Sequence, residues 1–469
     1  MAEKPEGLKS SALGAFAVAG LGCVMMAPAL GIYANLGLIA ADSGRAAPAV
    51  FLVSLLLTLP TAVSYALIAR EIPSAGSAYA WLSEAVNPLI GTWVGILLLG
   101  TYLFCVILQP IVFGLFFNEL LISLHLPTSY GTWMGGVLIS TAVVALLAYP
   151  GIEIAAKSSL ILTVFEALVV LALSCTIFAV LLSHGTINLA PLNPAESLNG
   201  RDGFFGGLVF GLLSFVGFGV IATTAEETHA ARTVIPRAMV LACAILGIFW
   251  AFTSWSFCLV LPPDAWAGYV AKGLNPVVVV ARQFWHAGSI LVILTAIAAV
   301  LGVYLASVVG LARVAYAMGR EGTLPSSVAK LHPKYRVPWN AQHFAFAITL
   351  VVTAVWGRWL GEYPSYAWWG SVVVFFSMVC NIFVSIGCTV FFYRFRRAQF
   401  NWLWHGLMPF LGVLSSFLPL YYSFGPALWK AGWKMGQSII FFCVLFVVVS
   451  TIYTGALRLI KPEVYRTVR

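Results

Sequence analysis

The chain has 469 residues, 61% of them apolar and 9% charged, a mean hydropathy of +0.97 and a formal net charge of +9. This composition excludes a soluble globular protein. The basic residues form no cluster on a soluble domain, which sets aside a nucleic-acid surface.

Apolar stretches of about 20 residues, each long enough to cross a bilayer, recur along the whole chain. They predict an all-α membrane protein with twelve spans, numbered in chain order: 12–40, 46–69, 88–122, 131–150, 157–183, 204–228, 236–262, 285–318, 341–361, 366–393, 403–423 and 432–460. Span 1 is interrupted around Gly20-Leu21-Gly22-Cys23-Val24-Met25-Met26-Ala27-Pro28. Span 6 is interrupted around Ser214-Phe215-Val216-Gly217-Phe218-Gly219. Gly and Pro free backbone polar groups inside a membrane helix, and these are tolerated only against protein or a watery cavity. A matched pair of broken spans points to the substrate site of a secondary transporter. Close helix packing through Gly is the alternative.

Span 3 carries Tyr102, Cys105 and Gln109 on one face, able to line a pocket or to pack. Span 5 carries Glu166 near its middle, where an ionisable group is costly and marks a functional candidate. Glu119, His125 and Glu153 read as span-end or loop residues. Stretches 184–203, 263–284 and 319–340 are the longest polar connections and leave no room for a soluble domain. Tyr363, Tyr366, Trp368, Trp369, Tyr421, Tyr422, Trp429 and Trp433 sit near span ends, as in an interfacial aromatic belt, with ordinary packing the alternative and for any single residue the favoured one.

If spans 1–5 and 6–10 are repeats, each opens with a broken helix, and their odd number makes them inverted. The halves are then 12–183 and 204–395, with two added helices over 403–460, in a single transmembrane domain spanning 1–469. Placing both termini in the cytoplasm puts 18 of the 25 Lys and Arg on that face, including Lys4, Lys9, Arg70, Arg313, Arg320, Arg466 and Arg469, as the positive-inside rule requires. The first span reads as a retained anchor, not a cleaved signal. The eight Cys all fall within spans and form no CxxC pair, so they read as packing residues. The chain has no Gly-Lys dipeptide for a nucleotide-binding loop and no HExxH or paired His at metal spacing. An enzyme, a metal and a cofactor are not expected.

Three stretches carry a family resemblance. They are Arg70-Glu71-Ile72-Pro73-Ser74-Ala75-Gly76-Ser77-Ala78-Tyr79 with Asn87-Pro88 and Trp93; Ala225-Glu226-Glu227-Thr228 with Thr233-Val234-Ile235-Pro236-Arg237; and Arg313 to Pro325 with His332-Pro333-Lys334-Tyr335-Arg336-Val337-Pro338. Together they resemble the amino acid–polyamine–organocation (APC) family of secondary transporters, with Glu321 where Asp is commoner. The resemblance implies a five-plus-five inverted-repeat fold of APC/LeuT type, with broken helices 1 and 6 and substrate held between spans 1, 3, 6, 8 and 10. It implies alternating access in a bacterial-type inner or plasma membrane, with a small amino acid or amine as partner. It also makes Glu226, Glu227 and Arg70 an inner gate; solvated helix-end charges are the alternative.

A half-helix starting near Pro28 offers amide N–H groups and a positive dipole end that suit a carboxylate. The candidate substrate residues are Val24, Met25, Met26, Ala27, Ala29, Leu213, Ser214, Phe215, Gly217, Phe218 and Gly219. Many amino-acid members have a Gly-Ser/Thr-Gly run where this chain has Val24-Met25-Met26-Ala27-Pro28. The Pro resembles the putrescine-importer branch, but those relatives carry an acid where this chain has Gly219. A dication without a facing carboxylate is costly in a low-dielectric site. A neutral, hydrophobic amino acid is therefore favoured over a polyamine. Some proton-coupled relatives place a Lys in span 5 in place of sodium, and Glu166 resembles a counterpart. Ser307 in span 8 has no neighbouring hydroxyl, which favours proton over sodium. A polyamine importer or a substrate exchanger is the alternative within the family, and a channel or a non-transporting nutrient sensor the alternative from another class.

Overall fold

The structure, a computed structural model, describes residues 18, 23–148, 152–422, 424–425, 428–463 and 465, without the side chains of 152–160. The opening of span 1 with Gly20–Gly22, and Lys4, Lys9, Arg466 and Arg469, lie outside the described residues, as do the side chains of Glu153 and Lys157.

The described residues are helical, with no strand among them, and eleven stretches are long and apolar enough to cross a membrane. The first, Cys23–Glu71, has 49 residues. At about 1.5 Å per residue it is more than twice the ~30 Å hydrocarbon thickness. A short turn at Gly44–Ala46, with Gly44 at φ 60°, divides it, and the parts on both sides pack against Gly200–Phe215. That stretch thus accommodates spans 1 and 2, and the total is compatible with twelve.

The others are span 3 at Pro88–Ser123, span 4 at Tyr130–Ala148, span 5 at Ile152–Ser183, span 6 at Gly200–Thr223 and span 7 at Ala231–Cys258. Span 8 is Ser289–Arg320, span 9 Trp339–Leu360, span 10 Glu362–Phe395, span 11 Trp402–Tyr422 and span 12 Trp433–Ile460. The most apolar windows of spans 3 and 6 are 83% and 78% buried, against 22% in spans 9 and 12, so the former are core and the latter face lipid.

Both interruptions lie where the backbone chemistry places them. In span 1 the helix stops at Ala27, φ 41°, and restarts with Pro28 at its first position, where no N–H is needed. A π turn follows at Gly31–Asn35, a local distortion frequent at functional sites. In span 6 the helix ends at Phe215, Gly217 takes φ 115°, and helix resumes at Val220. A Cβ on Gly217 would also run into Met25 of the opposite break, so the two interruptions interlock at a glycine.

The polar connection 263–284 is itself structured: it holds helices Ala265–Ala271 and Pro276–Trp285, which bury Trp266, Val277, Val278, Val280 and Ala281. The span-end aromatics divide between the belt and the packing readings. Tyr363, Tyr366, Trp368 and Trp369 are buried, not interfacial, because span 10 turns that face into the bundle. Tyr421, Tyr422, Trp429 and Trp433 are exposed, as a belt requires.

Candidate functional site

The two breaks border a small cavity of about 50 Å3 between spans 1, 3, 6, 8 and 10. Its apolar wall includes Met25, Met26, Leu108, Leu213, Val216 and Val303. Its polar groups are few: Asn35, Gln109, Ser214 and Tyr366. Asn35 donates from Nδ2 to Ser214 Oγ at 2.7 Å and accepts at Oδ1 from the Tyr366 hydroxyl. This bridge joins spans 1, 6 and 10. Gln109 Oε1 is buried and makes no hydrogen bond.

Five of the eleven expected substrate residues line this cavity: Met25, Met26, Ala27, Leu213 and Ser214. The other six are turned away. Val24 lies toward Gly302 of span 8, and Ala29 is fully buried. Phe215 stacks edge-on against Trp250 at 5.0 Å, and Phe218 against Tyr65 at 5.0 Å. Gly217 abuts Met25, and Gly219 faces Tyr65. Trp250 also donates to the Pro28 carbonyl at 2.9 Å, satisfying a backbone acceptor beside the break. Asn35 and Tyr366 escaped the sequence reading. A lone Asn inside an apolar span was the available signal for the first; nothing local marked the second.

Ala34, Val112 and Tyr366 separate the cavity from a second space, a vestibule of about 330 Å3 toward one end of the bundle. Its walls include Glu119, Asn275 and Glu362. Glu119 is no simple span-end charge. It is buried, accepting from the Asn275 backbone N–H at 3.0 Å and from Arg282 at 3.0 Å. Asn275 Nδ2 donates to the Tyr33 carbonyl at 2.6 Å. The helix Pro276–Trp285 is thereby tied to spans 1 and 3 over the vestibule.

At the opposite end, the three sequence motifs meet. Glu227 binds Arg313 through Nε at 2.6 Å and Nη2 at 2.5 Å, and both side chains are buried. Glu226 accepts from the Ala75 backbone N–H at 3.2 Å and pairs with Arg320 at 3.6 Å. The Tyr79 hydroxyl donates to Glu321 at 2.6 Å. Burial pushes the Glu321 carboxyl above the usual range, opposed by that hydrogen bond. Arg70 is not part of this cluster: it is exposed and makes no ion pair among the described residues. Arg313 stands in its place, because span 8 passes directly beside the end of span 6.

Glu166 is buried at 3% exposure, while Val164 and Phe165 beside it are exposed. Span 5 packs there on Pro28–Leu30 and on spans 7 and 8. Glu166 lies within electrostatic reach of the Tyr33 hydroxyl and has no ion pair among the described residues. The Ser307 hydroxyl sits 2.8 Å from the Val303 carbonyl and 3.6 Å from the Met25 sulfur. No cluster of three metal-ligating side chains occurs among the described residues.

The profile of the amino acid permease family matches residues 12–449. The low-affinity putrescine importer PlaP of Escherichia coli (strain K12) is 27% identical over 327 residues, 68% of this chain and 69% of its own. The branched-chain amino acid permease BcaP of Bacillus subtilis (strain 168) is 28% identical over 350 residues, 71% of this chain and 72% of its own. The crystal structure of MhsT in complex with L-phenylalanine aligns with a TM-score of 0.58 at 15% identity, covering 87% of this chain and 98% of that one. That likeness is one of fold, the APC/LeuT type that the family resemblance implied. Matched along nearly its whole length, the chain belongs to the amino acid permease family, within the APC transporters.

Proposed function

We propose that this protein carries a neutral, apolar amino acid across the cytoplasmic membrane by alternating access, coupled to protons through Glu166. The observation that carries the substrate reading is the two-ended cavity. Met25, Met26, Leu213 and Val303 offer an apolar wall, while Gln109 brings a buried, unpartnered acceptor suited to an ammonium group. No acidic side chain lines the cavity, so a dication would be left unpaired. At about 50 Å3 the cavity must widen to admit an amino acid, and the flexible methionines are suited to move.

Glu166 supports the coupling reading through its place, buried beside span 1 without an ion pair among the described residues. Proton is preferred to sodium on the sequence reading, in which Ser307 has no neighbouring second hydroxyl. The termini are read as cytoplasmic from the 18 of 25 basic residues on that side. Residues 12–183 and 204–395 are the two inverted repeats, with 403–460 added, and Glu226 and Glu227 belong to the inner gate.

A polyamine importer is the second reading, favoured by Glu119 and Glu362 in the outer vestibule. Arg282 already neutralises Glu119, so that attraction is weakened. A thermal-shift screen of the purified protein tests the order, since ligands of the folded state raise its apparent stability. Branched-chain amino acids are expected to stabilise it, and putrescine not; the reverse result overturns the substrate reading. Counterflow in proteoliposomes separates a carrier from a channel or a sensor. Glu166→Gln is expected to lose accumulation driven by a pH gradient while keeping counterflow. Normal gradient-driven accumulation by that variant ends the coupling claim.

A further inference from the structure

Spans 11 and 12 line no part of the cavity and carry none of the three motifs, but span 12 reaches the inner cluster. It is laid along span 3: a Cβ on Gly100 would meet the Phe446 ring at 2.7 Å, and Trp93 Nε1 donates to Thr451 Oγ1 at 3.0 Å. Ser438 accepts from Trp368 of span 10 at 2.9 Å. These contacts fix the rotation of a helix that otherwise faces lipid. Thus aligned, the Tyr453 hydroxyl donates to the Thr323 carbonyl at 2.7 Å, in the turn that follows span 8. After span 12 the chain folds back, and Tyr465 donates to the Thr454 carbonyl at 3.1 Å, beside Tyr453.

The turn is tightly built. Span 8 ends at Arg320, and Gly322 at φ 80° reverses the chain. The N–H groups of Thr323 and Leu324 and the Thr323 hydroxyl all donate to the Met318 carbonyl, at 3.0, 3.3 and 2.8 Å. Thr323 is fully buried, so its carbonyl needs a partner from the protein, and Tyr453 is that partner. Two residues earlier, Glu321 accepts from the Tyr79 hydroxyl at 2.6 Å. The place of the Glu321 carboxyl therefore depends on where Thr323 is held.

We propose that Tyr453 is a positioning residue of the inner gate: by holding the Thr323 carbonyl it sets the turn 319–325 so that Glu321 meets Tyr79. The added helices thereby act on the transport cycle from outside both repeats. This rests on the reading of the Glu226 and Glu227 cluster as an inner gate. A tyrosine that only attached span 12 to the bundle would stabilise the fold without acting through Tyr79 and Glu321, and the experiment separates the two roles.

The readout is labelling of Ala222→Cys, a buried site beside the cluster, by an impermeant thiol reagent from the cytoplasmic face, in the full-length protein without its eight native Cys. Membrane insertion and melting temperature are measured for each variant. Tyr453→Phe keeps the ring and removes only the hydroxyl. It is expected to raise the labelling rate about threefold, the worth of one intramolecular hydrogen bond. Tyr79→Phe, which releases Glu321, is expected to raise it similarly. In that background Tyr453→Phe is expected to add little, because both act through Glu321. Increases that multiply in the double variant overturn the proposal, as does a Tyr453→Phe protein that melts earlier but labels like wild type. Arg313→Met, which breaks the buried ion pair of the cluster, is the control. A rise with Arg313→Met and none with Tyr453→Phe overturns the positioning role and leaves the gate reading standing. No rise with either variant overturns both.

Discussion

Arg313→Met removes the cation from the most buried ion pair of the inner cluster. The Glu227 and Arg313 side chains are only 5% and 7% exposed, with oxygen–nitrogen distances of 2.5 and 2.6 Å. Stranding one member of such a pair costs about 3–5 kcal/mol. At about 1.4 kcal/mol per tenfold change, this is roughly two to three and a half powers of ten against any state that keeps Glu227 buried. The cost is relieved when this end, cytoplasmic in the proposed orientation, opens and water reaches the carboxylate, so the variant should populate open arrangements. A rise of at least roughly tenfold is therefore expected in the assay. The assay is labelling of Ala222→Cys, a buried site beside the seal, by an impermeant thiol reagent applied from the cytoplasmic face in a background without the eight native Cys. Glu227→Leu should raise labelling similarly by stranding Arg313. The pair Glu227→Leu/Arg313→Met should return labelling toward wild type, because an apolar replacement of a buried ion pair is often neutral. Unchanged labelling in both single variants, with membrane insertion intact, would refute the idea that this pair holds the inner end shut.

Gly217→Ala should lose most uptake while inserting normally, because φ 115° costs an L-residue about 1–3 kcal/mol and its methyl would meet Met25. Gly219→Ala should stay near wild type in the same uptake assay, since only the Tyr65 ring at 3.3 Å need yield. Tyr366→Phe should speed exchange from the outer side and raise KM, because the bridge to Asn35 is lost at about 1–3 kcal/mol for the unpaired acceptor. Gln109→Glu should shift the thermal response toward putrescine and away from neutral amino acids, by placing a carboxylate in the cavity wall.

Features that depend on length and local backbone chemistry were legible in the sequence. An apolar run of bilayer length must be helical, because lipid offers no other partner for its N–H and C=O groups. Pro28 and Gly217 disrupt that pattern locally, so both breaks appeared before any packing was considered. The motifs containing Glu226, Glu227 and Arg313 were equally visible, as was the inward place of Glu166 as a lone acid in an apolar span. What the tertiary structure alone decided is the direction each side chain faces and whom it meets. Phe215, Phe218 and Gly219 lie at the second break yet face Trp250 or Tyr65, because spans 2 and 7 occupy the side away from the cavity. Arg313, and not Arg70, reaches Glu227, a pairing set by how span 8 lies against span 6. Asn35 and Tyr366 are 331 residues apart, and their contact follows from packing spans 1 and 10 side by side. A break records a property of a few consecutive residues. A cavity is the space left by five helices, and its lining depends on the rotation of each about its own axis.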